Sequence, residues 1–294
     1  MNFQKTAYFL DCCRRYFSPV HCPSCQSRNY RLIDRKYLVL RLFECAECGL
    51  YYRHPLEKVA ENRDFYQSQY QQPDHVTTFM PETESELDTL TTGILDNPEN
   101  PKNARRIRRI FEALFPEVNN LSVVDYGASW GYMSWQLKSY GFDVQSYEIS
   151  VPRARYGNRH LGLDIQTDEK TLRDNNHVFF SSHVIEHVPV VSDMLALGAR
   201  LTRSDGFIVT LCPNGSPEFR RKDPVGFHYV WGQVHPNYLN AQFFLKQYAG
   251  KPVFLSSTPF DTEALMRWDQ QSQFIGDLSG EELLSITRPH QYCR

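Results

Sequence analysis

Apolar and polar positions alternate in blocks that change period along the chain, and the clearest block lies in the middle. Leu121 to Tyr126 is a short apolar run, the turn "GASWG" follows, and Tyr132 to Tyr140 carries apolar residues at helical spacing until Gly141 stops them. "FDVQSYE" then reads as a second strand ending in Glu148. Strand, glycine turn, helix, glycine stop and strand make one βαβ unit. Ahead of it, "ARRIRRIFEALF" puts Ile107, Ile110, Phe111 and Leu114 on one helical face. Near the N-terminus, "YRLIDRKYLVLRLFEC" is rich in Tyr, Leu, Ile and Val and reads as strands. Between these blocks, Glu57 to about Asn103 is polar and broken by "GILDNPENP", which marks a connector with room for short helices. Its aromatics Phe65, Tyr66 and Tyr70 are placed to close over a neighbouring pocket as a lid.

Length and composition add bounds. The 294 residues, 41% apolar and 22% charged, suit a globular protein with one ordinary domain and a small appendage. Net charge is −2, so no global field attracts nucleic acid, but charge is uneven. Residues 1–60 hold ten basic and five acidic groups, whereas 61–101 hold one basic and nine acidic. The expected divisions are an N-terminal helix and cysteine module over 1–60, a connector over 61–104, and a larger domain over 105–294. No run of eighteen apolar residues exists, and "MNFQKTAYFLDCCRRYF" is charged where a signal peptide needs an apolar centre. The expectation is a cytoplasmic chain without a membrane span; no pattern sets its oligomeric state.

In such a compartment eight cysteines read as thiols and metal ligands. Cys22 and Cys25 form one CxxC, Cys45 and Cys48 another, with nineteen residues between the pairs. That spacing points to a structural Zn²⁺ held by four thiolates in a zinc ribbon. Four thiolates close the coordination sphere, so this zinc stabilises and offers no position for substrate. Cys12, Cys13, Cys212 and Cys293 have no comparable spacing.

In the central unit, Gly127 and Gly131 permit close backbone approach to a ligand, and Glu148, twenty-three positions after Asp125, stands where a carboxylate can hold a ribose diol. "VVDYGASWGYMS" resembles the first motif of class I S-adenosylmethionine-dependent methyltransferases, with Ser129 in place of the middle glycine. Later landmarks resemble that family in order: "HLGLDIQ" its third strand, "HVFFSSHVIEHV" its fourth strand and following loop, and "LTRSDGFIVTLCPN" its fifth strand. "VHPNYLNAQFFLKQYAGKPVFLSS" resembles its H-x-N-Y segment, helix and sixth strand, and "GEELLSITR" its closing strand. The resemblance runs from about Arg105 to the C-terminus. It implies an α/β fold, a Rossmann-like seven-stranded methyltransferase sheet with an N-terminal zinc-ribbon module. It also implies S-adenosylmethionine bound by Asp125, Tyr126, Gly127, Ser129, Gly131, Tyr132, Glu148, Ile149, Ser182 and His183. His177 and Asp205 depart from the family pattern.

The stretch "SSHVIEHV" packs His183, Glu186 and His187 into five residues. As the first turn of a helix it would aim all three from one face, to move protons, bind a metal or cap the helix. Its place beyond the fourth strand is where open α/β sheets bind ligands. His183 and His235, with His187 after them, are the candidate catalytic bases for removing a hydroxyl proton. Resemblance to enzymes that methylate small RNAs at the 2′-hydroxyl, with E-x-x-E-H and a later histidine, raises a second divalent metal at His183, Glu186, His187 and His235, or His228 in place of the last. The reading is a methyltransferase acting on a small molecule or glycan precursor, at oxygen. Its rivals are an RNA methyltransferase gripping phosphates through Arg31, Arg35, Lys36 and Arg41 of the ribbon, and a non-catalytic methyltransferase-like binding protein.

Overall fold

The computed structural model describes residues 3–56, 59–68, 80–100 and 102–289; Tyr70 and Cys293 lie outside them. A helix, α1 (Phe3–Arg15), leads into the ribbon, whose antiparallel strands are β1 (Tyr30–Lys36), β2 (Leu40–Cys45) and β3 (Tyr51–His54). The connector contains α2 (Val59–Ser68) and α3 (Glu84–Asp96). Thr83 and Glu86 start α3 with a reciprocal capping box, each side chain accepting from the other's backbone N–H.

Helix α4 (Arg105–Leu114) buries Ile107, Ile110, Phe111 and Leu114, the face set by its spacing. The α/β unit follows as β4 (Ser122–Tyr126), α5 (Tyr132–Ser139), β5 (Asp143–Tyr147), α6 (Val151–His160), β6 (Ile165–Gln166), β7 (Asn176–Ser182), α7 (Val191–Leu201) and β8 (Thr202–Pro213). Two short helices, α8 (Pro217–Lys222) and α9 (Pro224–Val230), precede β9 (Asn237–Tyr238), α10 (Ala241–Gln247), β10 (Val253–Ser257), α11 (Thr262–Arg267), β11 (Gln273–Ile275) and β12 (Glu282–Thr287).

The main sheet runs β11-β10-β12-β8-β7-β4-β5-β6, parallel except for β12, which is antiparallel to both its neighbours. The seven expected strands are all present. An eighth, β11, adds to the edge in parallel with β10. Its three residues are partly exposed and sit within the polar "DQQSQFIGD", which carries no strand period, so it was not foreseen. Apolar side chains cover both sheet faces: Val124, Phe179 and Ile208 point into one core, and Val123, Val178, Phe180 and Val209 into the other.

The ribbon is joined to this sheet. Strand β9 pairs antiparallel with β3, Tyr51 opposite Tyr238 and Tyr52 opposite Asn237, so a segment of the larger domain completes the ribbon's sheet. Cys22, Cys45, Cys48 and Tyr52 share a core with Phe243 and Phe244 of α10. Among the described residues no helix is long and apolar enough to cross a membrane.

Candidate active site

Strand β4 delivers Asp125 to the carboxyl edge of the sheet, where its Oδ2 accepts the Ser134 hydroxyl at 2.5 Å; Ser134 Oγ in turn accepts from Ser146 Oγ at 2.8 Å. This chain fastens the start of α5 to the strand. Burial pushes the Asp125 carboxyl up to about 6, against the opposing pull of Ser134. Beyond it the turn is anchored by Gly127 and Ala128, whose N–H groups donate to Tyr147 O at 2.9 and 2.8 Å. Gly127 has φ +84°, and a Cβ added there would lie 2.2 Å from Val184 Cγ2. Gly131 has φ +89° and would meet Leu163 Cδ1 at 2.3 Å. Only glycine serves at either place.

Glu148 directs its carboxylate at this turn. Oε2 accepts Ser129 N at 2.8 Å and Oε1 accepts Ser150 N at 2.7 Å. Burial raises its pKa, opposed by those two N–H groups and by Arg153. Each oxygen keeps a second lone pair, which is what a ribose diol requires. Ser129, at φ +55°, fills the place expected of a glycine, and its Oγ accepts from Arg153 Nη1 at 2.7 Å. Ile149 O accepts from Gln67 Nε2 of α2 at 2.6 Å, so the connector helix lies over the residue after Glu148. Tyr132 packs on Trp130, with ring centroids 5.3 Å apart. Tyr126 turns into the sheet's packing, stacking on Tyr147 at 4.9 Å and donating its hydroxyl to Glu169 Oε1 at 2.5 Å.

At the end of β7 the histidine rim begins with Ser182, half-buried, and His183. The segment does not form the expected helical turn. His183 is left-handed at φ +54°, and α7 starts only at Val191, because Pro189 cannot continue a helix through this point. The α7 N-cap receives no side-chain hydrogen bond, so Glu186 and His187 do not cap it. His183 Nε2 instead meets Glu282 Oε1 at 2.7 Å, and its Nδ1 faces Glu186 Oε1 at 3.4 Å. Glu282 also accepts Arg106 Nη1 at 2.9 Å. Burial lowers the pKa of His183, but the two carboxylates outweigh it and bring the imidazole up to about 10. His183 is therefore held as a cation at neutral pH.

His187 and His235 stack with centroids 4.7 Å apart. His187 Nδ1 donates to Val234 O at 2.6 Å and His235 Nδ1 to Val230 O at 2.7 Å. A carbonyl only accepts, so each ring carries a proton on Nδ1. Burial drives His187 down to about 4, against the pull of Glu186. Asn237 fixes the meeting of the two segments: its N donates to Glu186 O at 3.1 Å and its Nδ2 to Val188 O at 2.7 Å. His228 lies elsewhere, paired with Asp34 at 2.7 Å. Tyr66 of α2 sits edge-on to His187 at 6.5 Å.

In the ribbon the four cysteine sulfurs lie within 4.8 Å of one another, with Cys22 to Cys48 and Cys25 to Cys45 both 3.5 Å apart. Tetrahedral Zn²⁺ with bonds of about 2.3 Å separates its sulfurs by about 3.8 Å. The donor set fits zinc.

No family model matches the chain, and no curated protein does. Solved structures do. The geranyl diphosphate C-methyltransferase of Streptomyces coelicolor A3(2), solved with S-adenosylhomocysteine, superposes with TM-score 0.50 over 78% of this chain and 98% of that one, at 14% identity. A plantazolicin methyltransferase, also solved with S-adenosylhomocysteine, gives 0.51 over 79% and 97%, at 12% identity. The fold is that of S-adenosylmethionine-dependent methyltransferases. Within this methyltransferase fold, Arg153, Glu282, Gln67 and Asn237 take part in the site without having been foreseen. Arg153 left a faint trace as an arginine one turn into the helix that follows Glu148. Asn237 lies in the H-x-N-Y segment, though its part in the site was not read from it; Gln67 and Glu282 come from segments remote in sequence, and no local signal ties them to the site.

Proposed function

We propose that the chain is an S-adenosylmethionine-dependent methyltransferase acting on an oxygen of a small molecule or glycan precursor. The observation that carries this reading is the direction of Glu148, aimed at the glycine turn on the same sheet edge as the histidine rim. The bound cofactor supplies a methyl group already activated on a sulfonium. Glu148 accepts its ribose hydroxyls through the lone pairs left free, and Gly127 and Gly131 give the turn its left-handed backbone with Val184 and Leu163 packed against it. Val184 rests on Gly127 and Gln67 on Ile149, so both shift as the ligand enters. Helix α2 then serves as the lid, with Gln67 and Tyr66 its contacts on the adenosyl and acceptor sides.

Placing the acceptor in line with the methyl supplies up to about 7–11 kcal/mol. His183, charged and clamped by Glu186 and Glu282, orients the rim and is unsuited to accept a proton. The stacked imidazoles of His235 and His187 form the face by which the acceptor's proton leaves. The acceptor O–H gives up its proton there, the oxygen forms a bond to the methyl carbon, and the carbon–sulfur pair stays with S-adenosylhomocysteine.

RNA is disfavoured as acceptor because three of the ribbon's four candidate basic residues have partners within the chain. Arg31 pairs with Glu44, Lys36 donates to Tyr229 O at 3.0 Å, and Arg41 donates to Tyr16 O at 2.6 Å. The test is methyl transfer from labelled S-adenosylmethionine into hydroxylated small molecules and sugar nucleotides, with S-adenosylhomocysteine calorimetry in parallel. Label incorporated into one acceptor class, lost in His235→Ala, supports the reading. Binding without transfer to any acceptor leaves a binding protein, and absence of binding removes the methyltransferase altogether.

A further inference from the structure

Helix α4 carries more positive charge than its folding explains. Of its four arginines, Arg108 pairs with Glu112 at 2.6 Å and Arg106 with Glu282 at 2.9 Å. Arg105 and Arg109 are exposed, and among the described residues no carboxylate pairs with either. Four positions apart, they share a helical face on which like charges repel, and the first turn holds no acidic residue to offset them. Both line a cleft of about 870 Å³, room for a small organic ligand. Across it stand Lys222 at the end of α8, Phe260 after β10 and Glu281 before β12. Lys222 Nζ makes a long bond to Ser279 Oγ at 3.4 Å, and Phe260 lies under the Arg106 guanidinium, 5.6 Å from its ring centroid. Glu99 and Glu281 bring carboxylates to the same lining; a third, Asp223, is taken up in capping α9 through Gly226 N at 2.8 Å. Strand β10 ends here and the antiparallel β12 begins here, so the cleft opens on the sheet edge that carries the glycine turn. Glu282 joins it to the histidine rim, holding Arg106 on one side and His183 Nε2 at 2.7 Å on the other.

Resting on the methyltransferase reading, we infer that this cleft binds the methyl acceptor and takes a phosphorylated sugar. Arg105, Arg109 and Lys222 hold the phosphate, because guanidinium forks match its oxygens in pairs and the ammonium adds a point charge. Glu99 and Glu281 select what the phosphate is attached to. A bare anion, or the polyanionic backbone of RNA, is repelled by two carboxylates beside the cations. A sugar phosphate is not, since its hydroxyls donate to those carboxylates while its phosphate lies on the arginines. Phe260 gives the ring's C–H face an apolar wall. The shared Glu282 sets the bound sugar beside His183 and the rim by which a hydroxyl proton leaves.

The full-length, zinc-replete chain is titrated calorimetrically with inorganic phosphate, a panel of hexose 1-phosphates and a short oligoribonucleotide, with S-adenosylhomocysteine in parallel. At least one hexose 1-phosphate is expected to saturate one site per chain and to bind more tightly than inorganic phosphate. Arg105→Gln and Arg109→Gln should each weaken it about tenfold and leave S-adenosylhomocysteine affinity as it is. Arg108→Gln, on the arginine that pairs with Glu112 outside the cleft, should change neither. Glu281→Gln should weaken the hexose phosphate yet strengthen inorganic phosphate, an opposed response that a simple basic patch does not give. Arg105, Arg109 and Glu281 are exposed, so these variants fold, and thermal melting checks it. No hexose phosphate tighter than inorganic phosphate, or binding unaltered in both arginine variants, overturns the sugar site; S-adenosylhomocysteine still bound in that case spares the methyltransferase reading. An oligoribonucleotide that binds more tightly than every hexose phosphate, and is lost in the arginine variants, overturns the sugar in favour of RNA. Hexose phosphate bound by a chain that does not bind S-adenosylhomocysteine overturns the cleft's role as acceptor site together with the methyltransferase reading.

Discussion

At Gly127 two constraints coincide: a backbone at φ +84° and a Val184 methyl that would stand 2.2 Å from any Cβ. Gly127→Ala should therefore destabilise the fold by about 1–3 kcal/mol and abolish cofactor binding, read by thermal melting and calorimetry. A variant with wild-type melting and affinity would mean that the turn is open. Glu148→Ala removes the acceptor for the ribose hydroxyls and the partner of two backbone N–H groups. Its S-adenosylhomocysteine affinity should fall at least about tenfold, near 1.4 kcal/mol. Asp125 supplies a pH signature. Its folded-state pKa, raised to about 6 by burial from 3.8, makes its contribution to stability complete below about pH 4 and lost as pH rises through 6. Asp125→Asn lacks that loss, so its stability relative to wild type should climb between pH 4 and 6 by at most about 3 kcal/mol and stay level above. A difference independent of pH would refute the buried titration. These roles were partly legible in the sequence, because glycines and acids at βα spacing have few structural uses. Val184's contact with Gly127 was not, since it joins two strands' loops across the sheet.

Among elements, β9 shows most clearly why part of the site escaped sequence reading. Two residues carry no period, yet Asn237 and Tyr238 close the ribbon sheet on one side and pin the Glu186–Val188 loop on the other. The position of His235 therefore depends on a strand pairing with a module some 180 residues earlier in the chain. It follows that the zinc knuckles support the rim. Cys22→Ser should lower zinc content and turnover while leaving S-adenosylhomocysteine affinity close to wild type, because the glycine turn is built from β4 and β5. Turnover that survives loss of zinc would show that β9 holds His235 unaided. The loop at His183 teaches the converse lesson. Spacing at i, i+3 and i+4 brought the right residues into view, but Pro189 and a left-handed His183 gather them through a turn, and Glu282 from the far end of the chain settles the charge of His183.

Over the whole molecule, the order of the main strands and helices, β9 and β11 apart, was readable where an apolar block is long enough to show its period, from Val123 and Val124 in β4 to Leu283 and Leu284 in β12. The four-cysteine cluster was readable because coordination chemistry fixes its spacing. The union of ribbon and sheet was not, since it rests on a core in which Cys22, Cys45 and Tyr52 pack with Phe243 and Phe244, contacts that no local pattern announces. What the assembled molecule does turns on whether the edge between Gly127 and Glu148 admits an adenosyl ligand when Val184 and α2 yield. Calorimetry of S-adenosylhomocysteine against the full-length, zinc-replete chain decides it. The account predicts saturable binding at one site per chain, weakened by Glu148→Ala; a folded, zinc-loaded wild type that gives no heat and no saturation would contradict it.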